Sequence, residues 1–228
     1  MRLFFASLMM AVNWGIFIWA VNSARIVETA MGYFINPLIS VLFGVFFFSE
    51  RLRKGQTLAI TVAATGVGSM IWTYGELPWV SLSLAISFSL YSVIKKTVTL
   101  PAIHGMAIET GFLFLPALGY LCYLSWGQQG AFGTELSTDV LLILGGLFTL
   151  IPLTLFAAAA KKVSLTTLGM TQYIGPFLQL AIGVLIYNES FGVDRQLAFG
   201  LVWLALLVYS LDQLKYQRQI RKARLSAT

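Results

Sequence analysis

Residues 35–50 read INPLISVLFGVFFFSE, almost wholly apolar, yet opened by Asn36-Pro37 and closed by Glu50. Proline inside a helix removes one backbone hydrogen bond and costs about 3 kcal/mol in water. A break at the start of a long apolar run therefore needs a reason, and composition supplies the first part of it. Of 228 residues, 58% are hydrophobic and 11% charged, whereas a soluble domain carries about 25% charged residues to face water. Crossing a bilayer takes about 20 apolar residues at about 1.5 Å rise each. Eight runs qualify: 3–22, 30–48, 57–73, 79–94, 106–126, 140–160, 165–187 and 196–214. Between them lie the charges and turn formers of SERLRKGQ, YGELP, KKTVTLP, GQQGAFGTELSTD, KKVS and NESFGVDRQ. The fold class predicted is all-α: a polytopic membrane protein with eight transmembrane helices.

Charge placement sets an expected topology. Lys and Arg accumulate in cytoplasmic loops. Threading eight spans from the inside gathers Arg2, then Arg51, Arg53 and Lys54, then Lys95 and Lys96, then Lys161 and Lys162. The tail adds Lys215, Arg218, Arg221, Lys222 and Arg224 on the same side, leaving Arg25 and Arg195 outside. Both termini are expected in the cytoplasm, with the chain multi-pass in the cell membrane. The basic end KYQRQIRKARLSAT suits anionic lipid headgroups, so membrane lipids rather than nucleic acid account for the net charge of +6. Trp72, Tyr74 and Trp79 flank one outer connection, where amphipathic rings favour the interface.

Other chemistries lack their residues. No glycine-rich phosphate loop, HExxH or CxxC occurs, and no cofactor or metal is implied. His104 stands in a connection with no second ligand or triad partner in sequence, and reads as a solvated histidine. Cys122 has no second cysteine to pair with. An enzyme is not expected.

The opening stretch occurs twice. Residues 174–189 read IGPFLQLAIGVLIYNE. A shift of 139 places Ile35, Pro37, Gly44, Val45 and Glu50 on Ile174, Pro176, Gly183, Val184 and Glu189. Aliphatic matches are cheap in membrane sequences; the proline, glycine and glutamate at unchanged spacing carry the argument. Spans one to three thus correspond to spans six to eight. An offset of five spans reverses the sense of crossing, which predicts inverted repeats, the architecture of many secondary transporters with substrate near mid-membrane. The expected organisation is a partial first repeat of three helices (1–76), a complete second repeat of five (77–215) and a basic cytoplasmic tail (216–228).

NWGIFIWAVN (13–22), GYFINPL (32–38), SER (49–51), IETGFLFLP (108–116) and TQYIGP (171–176) resemble the drug/metabolite transporter superfamily with EamA-type repeats. Within it the chain is similar to the RarD-like proteins linked to chloramphenicol sensitivity. The resemblance implies two inverted five-helix halves and transport of a small organic molecule across the inner membrane. Set against that ten-helix pattern, this sequence lacks the first two helices. A non-transporting scaffold or regulatory subunit, or an inactive truncated transporter, stands as the alternative, and pairing into a homodimer is open.

Candidate substrate contacts follow from polar groups in apolar runs. In helices, Pro37 and Pro176 free the carbonyls of Tyr33 and Gln172, a break tolerated where protein or a water-filled cavity supplies partners. Asn36 adds an amide, Gly175 permits close approach, and Tyr173 neighbours the second break. Asn13 and Asn22 in span one must face protein or water, and Trp14 is a candidate stacking surface. The expected substrate-binding set is Asn13, Trp14, Tyr33, Asn36, Pro37, Gln172, Tyr173, Gly175 and Pro176. Pro37 and Pro176 are expected to face each other across the pocket. Glu109 is the one carboxylate well inside an apolar run, a candidate proton-coupling group or a hydrated side chain near the cytoplasmic end. Glu50 and Glu189 close their helices at the interface and read as structural. The small faces Ala59/Ala63/Gly66 and Ala64/Gly68 suit close helix packing.

Overall fold

The computed structural model describes residues 1–75, 77–127, 130–178 and 193–225. Its helices are α1 (Arg2–Asn22), α2 (Ile26–Phe48), α3 (Lys54–Tyr74), α4 (Trp79–Thr97), α5 (Ala102–Trp126), α6 (Leu136–Ala160), α7 (Leu165–Gln172) and α8 (Val193–Leu225). Residues 174–178 are also helical. Each predicted run overlaps one of these helices. Five of them, α1, α2, α3, α5 and α6, are long and apolar enough to cross a bilayer. This is a multi-pass helical membrane protein.

Helix α4 owes its lower hydropathy to serine, and the serines explain its place. It packs along both α1 and α2, with Ser81, Ser87, Ser89 and Ser92 buried. Ser81 donates to the Glu28 carbonyl of α2 at 2.6 Å. Small hydroxyl side chains let backbones approach and supply hydrogen bonds that lipid cannot. Helix α3 packs on α8, burying Ala59, Ala63 and Gly66 in a cluster with Val202 and Ala205. Of the two small faces, this one meets protein; Ala64 and Gly68 are exposed. By contrast α5 and α6 present large apolar side chains outward, among them Leu115, Tyr123, Leu141 and Phe148, a surface suited to acyl chains.

Three details depart from the sequence expectations. Lys95 lies in the last turn of α4 and is 1% exposed, not in a solvated connection. His104 belongs to the first turn of α5, where it is exposed. Helix α8 runs 33 residues, about 50 Å at 1.5 Å per residue, against a hydrocarbon core of about 30 Å. The basic segment beyond 215 therefore continues the helix to Leu225. At its base Arg53 donates to Asp212 (2.7 Å) and Gln213 (2.6 Å) and covers the Tyr216 ring at 4.2 Å, tying the start of α3 to α8.

Glu50 ties the end of α2 to the start of α7. Its carboxylate accepts from the backbone N–H of Leu165 (2.7 Å) and Thr166 (2.9 Å) and from the Thr166 hydroxyl (2.8 Å). Those N–H groups open α7 and have no intrahelical partner, and the helix dipole favours a negative charge there. Gly44 makes the fit feasible: a Cβ there would sit 2.7 Å from the Glu50 carboxylate. Glu189, Gly183 and Val184 lie outside the described residues.

Candidate substrate cavity

The two prolines have unlike local outcomes. Helix α2 runs unbroken through Pro37. In the second copy α7 ends at Gln172, Tyr173 is a turn, and helix resumes over 174–178. An amide missing at Pro176 removes the partner of the Gln172 carbonyl, and the helix stops there. Around Pro37 two other carbonyls of α2 take side-chain partners from neighbouring elements. Tyr173 donates its hydroxyl to the Phe34 carbonyl at 3.1 Å, and the Ser89 oxygen lies 3.3 Å from the Asn36 carbonyl. Helix α7 can lie this close because residue 169 is glycine: a Cβ there would meet the Pro37 carbonyl at 2.9 Å.

Between these elements lies a cavity of ≈ 440 Å³, within the range of small-molecule sites. Helix α1 contributes Asn13 and Phe17, and α2 contributes Thr29, Gly32, Tyr33 and Asn36. Leu84 and Phe88 of α4 and Phe156 of α6 form the opposite wall. Thr171, Gln172, Gly175 and Pro176 close it from the broken helix. No charged side chain lines it among the described residues. The aromatic rings come in pairs, Phe17 with Tyr33 at 6.3 Å and Phe88 with Phe156 at 5.2 Å between centroids.

The polar groups are connected. Ser40 and Ser89 share a hydrogen bond at 3.1 Å, and Ser89 donates to Asn36 Oδ1 at 2.8 Å. Asn36 Nδ2 donates to Gln172 Oε1. Gln172 Nε2 is buried with no partner among the described residues. Asn13 Nδ2 is held by the Leu84 carbonyl and the Ser87 hydroxyl, both at 2.9 Å. Asn22 by contrast bonds back to its own helix at the Ile18 carbonyl.

Of the nine residues expected at the site, Asn13, Tyr33, Asn36, Gln172, Gly175 and Pro176 meet around this cavity. Three do not. Pro37 is fully buried against α7, so only Pro176 of the two prolines reaches the cavity wall. Tyr173 is 1% exposed, with its hydroxyl committed to Phe34. Trp14 is not among the lining residues and is exposed, with its ring edge-on to Phe17. Sequence reasoning missed Ser40, Ser89 and the aromatic wall. The serines of α4 at 81, 89 and 92 were the available signal, since hydroxyls recurring on one face of an intramembrane helix mark a polar seam.

Glu109 is away from the cavity and is not hydrated. It is 4% exposed, paired with Lys95 at 2.7 Å and hydrogen-bonded by the Tyr91 hydroxyl at 3.3 Å. No cluster of three or more metal-ligating side chains occurs among the described residues. A second groove of ≈ 720 Å³ along α2 and α3 is walled by hydrophobic side chains alone, Leu38, Phe43, Phe46 and Ile60 among them. It offers nothing to orient a polar molecule.

No protein-family model matches the chain. Individual relatives do. A Bacillus subtilis (strain 168) protein named uncharacterized transporter YojE is 42% identical over 219 residues, 96% of this chain and 73% of its own length. The protein RarD of Streptomyces exfoliatus is 43% identical, covering 97% of this chain and 70% of its own. RarD of Escherichia coli (strain K12) is 40% identical over 92% and 71% of the two chains. A protein of solved crystal structure superimposes over 89% of this chain with a TM-score of 0.62 at 20% identity, a likeness of fold alone. On identities of this size along nearly its whole length, the chain belongs to the RarD-like family of drug/metabolite transporters.

Proposed function

We propose that the chain carries a small organic molecule across the inner membrane through this cavity, by alternating access of two inverted halves. One observation carries the reading. Amides from segments 136 residues apart, Asn36 and Gln172, converge at a break in an intramembrane helix on a cavity the size of a small molecule. Irregular backbone at membrane depth is tolerated where it lines such a space.

The repeat offset supports the inverted arrangement. Phe34 and Tyr173 are 139 residues apart, the shift that superimposes the two copies, and they touch. Under the same shift Arg25, the N-cap of α2, falls on Ser164, the N-cap of α7. The Asn36–Gln172 pair maps onto Gly175–Tyr33, which lines the same cavity. Equivalent positions in contact are what a pseudo-two-fold axis through Phe34 and Tyr173 requires. A coupling role for Glu109 acts, in this reading, through its Lys95 ion pair and not by contact with the cargo.

A relative in Pseudomonas aeruginosa is named chloramphenicol-sensitive protein RarD, which makes chloramphenicol a fair first compound. The test uses Gly175→Trp, because a Cβ at Gly175 meets no atom within 4 Å and the indole can enter the cavity. Accumulation of radiolabelled chloramphenicol and a panel of small aromatic drugs is measured in efflux-deficient cells. The wild-type chain is expected to change the accumulation of at least one compound, and Gly175→Trp to return it to the empty-vector level while still eluting as a folded protein. Full activity in a folded Gly175→Trp variant, or no effect of the wild type on any compound, overturns the proposal.

A further inference from the structure

We infer that the cavity selects an uncharged, flat cargo bearing a hydrogen-bond acceptor, and that the Gln172 side-chain N–H group reads that acceptor. The inference rests on the cavity being the cargo site and adds what the cargo is.

The charge argument comes from what surrounds the cavity. Two buried charges of the bundle lie off the cavity and are already paired: Glu28, 3% exposed, with Arg25 at 3.1 Å, and Lys95 with Glu109 at 2.7 Å. An ion entering the cavity would shed its hydration and find no counter-charge among the described residues that line it, which is strongly unfavourable in an apolar medium. The shape argument comes from the two aromatic pairs, one on the α1–α2 side and one on the α4–α6 side. Ring edges and faces lining one cavity favour a planar guest beside them.

The polarity argument comes from the hydrogen-bond chain. Ser89 donates to Asn36 Oδ1, which turns the Asn36 amide nitrogen toward Gln172 Oε1. The acceptor end of Gln172 is thereby occupied, and its donor end is left over. A buried amide N–H without a partner is costly to the empty protein. A guest acceptor removes that cost, whereas a guest lacking one leaves it in place. Donor-recognising sites discriminate strongly for this reason. Ser89 and Asn36 are positioning residues: they fix which end of Gln172, a residue of the cavity wall, is left without a partner.

The full chain in lipid nanodiscs is tested by equilibrium dialysis against four probes sharing a flat bicyclic ring. These are 2-acetylnaphthalene (neutral, acceptor only), 2-naphthoate (anion), 2-naphthylmethylammonium (cation) and indole (neutral, donor only). Saturable binding is counted above a Gly175→Trp blank, which removes partitioning into lipid. The ketone is expected to bind at least tenfold more tightly than the other three. Gln172→Leu should lose that preference. Gln172→Glu, which replaces the donor by a carboxylate, should weaken the ketone tenfold and strengthen the cation, a reversal that misfolding does not produce. Equal binding of the anion or cation by the wild type, indole binding tighter than the ketone, or no saturable binding of any probe overturns the inference. These outcomes are read in binding alone, so they are separable from a failure of transport, which the Gly175→Trp accumulation measurement reports.

Discussion

The hydroxyl of Tyr173 donates to the backbone carbonyl of Phe34 at 3.1 Å, and the two rings lie 6.5 Å apart. Their separation in sequence, 139 residues, is the offset at which the chain repeats its Pro–Gly–Glu pattern. The contact joins the break at the end of α7, one residue beyond Gln172, to α2 three residues before Pro37. Tyr173→Phe removes one buried hydrogen bond while keeping the ring, and should cost about 1 kcal/mol. Thermal unfolding in detergent measures the loss. Probe binding at the cavity should be unchanged, because Tyr173 does not line it.

The Lys95–Glu109 pair responds differently to single and double substitution. Removing one partner of a buried ion pair leaves an uncompensated charge and costs about 3–5 kcal/mol, whereas replacing both by apolar groups of similar size is often neutral or better. Glu109→Gln should therefore lower the melting temperature markedly, and Lys95→Met with Glu109→Leu should recover most of it. The recovered double variant is also the clean test of coupling. Loss of pH-driven transport in a folded double variant assigns Glu109 to coupling, while an unchanged pH profile assigns the pair to helix packing alone.

Glu50→Ala strips three acceptor contacts from the start of α7 and the negative charge facing its N-terminus. Charge-assisted bonds to helix-terminal N–H groups make this loss about 2 kcal/mol. Hydrogen exchange at Leu165 and Thr166 should accelerate before exchange elsewhere in the chain. Unchanged protection at those two amides would show that Ser164, whose hydroxyl accepts from the Thr167 N–H at 3.1 Å, suffices as the cap.

Thirteen of fifteen basic residues fall on one side of the expected threading. Single cysteines at Ser137 and Gln217, each exposed, in a Cys122→Ser background, should label from opposite faces of the membrane, Gln217 from the cytoplasm. Labelling of both from one face contradicts the threading and the inverted arrangement together.

The sequence by itself determined the class of the protein, the approximate place of every helix and the repeated Pro–Gly–Glu pattern. Apolar length, basic asymmetry and helix-breaking residues are local properties, legible without contacts. GYFINPL and TQYIGP were enough to point to the family. Which polar groups meet was not legible. In water an amphipathic stripe marks the inward face of a helix, but lipid is as apolar as a protein core, so the runs around Asn36 and Trp14 carry no sign of which way each residue faces. Only packing turned Asn36 onto Gln172, 136 residues away, and left Trp14 outside. Only packing drew Lys95, read in sequence as a loop cation, into the same buried cluster as Glu109. The reason is the same in each case: a buried amide or ammonium in a membrane must find a partner on another helix, and the identity of that partner is a property of the assembled bundle.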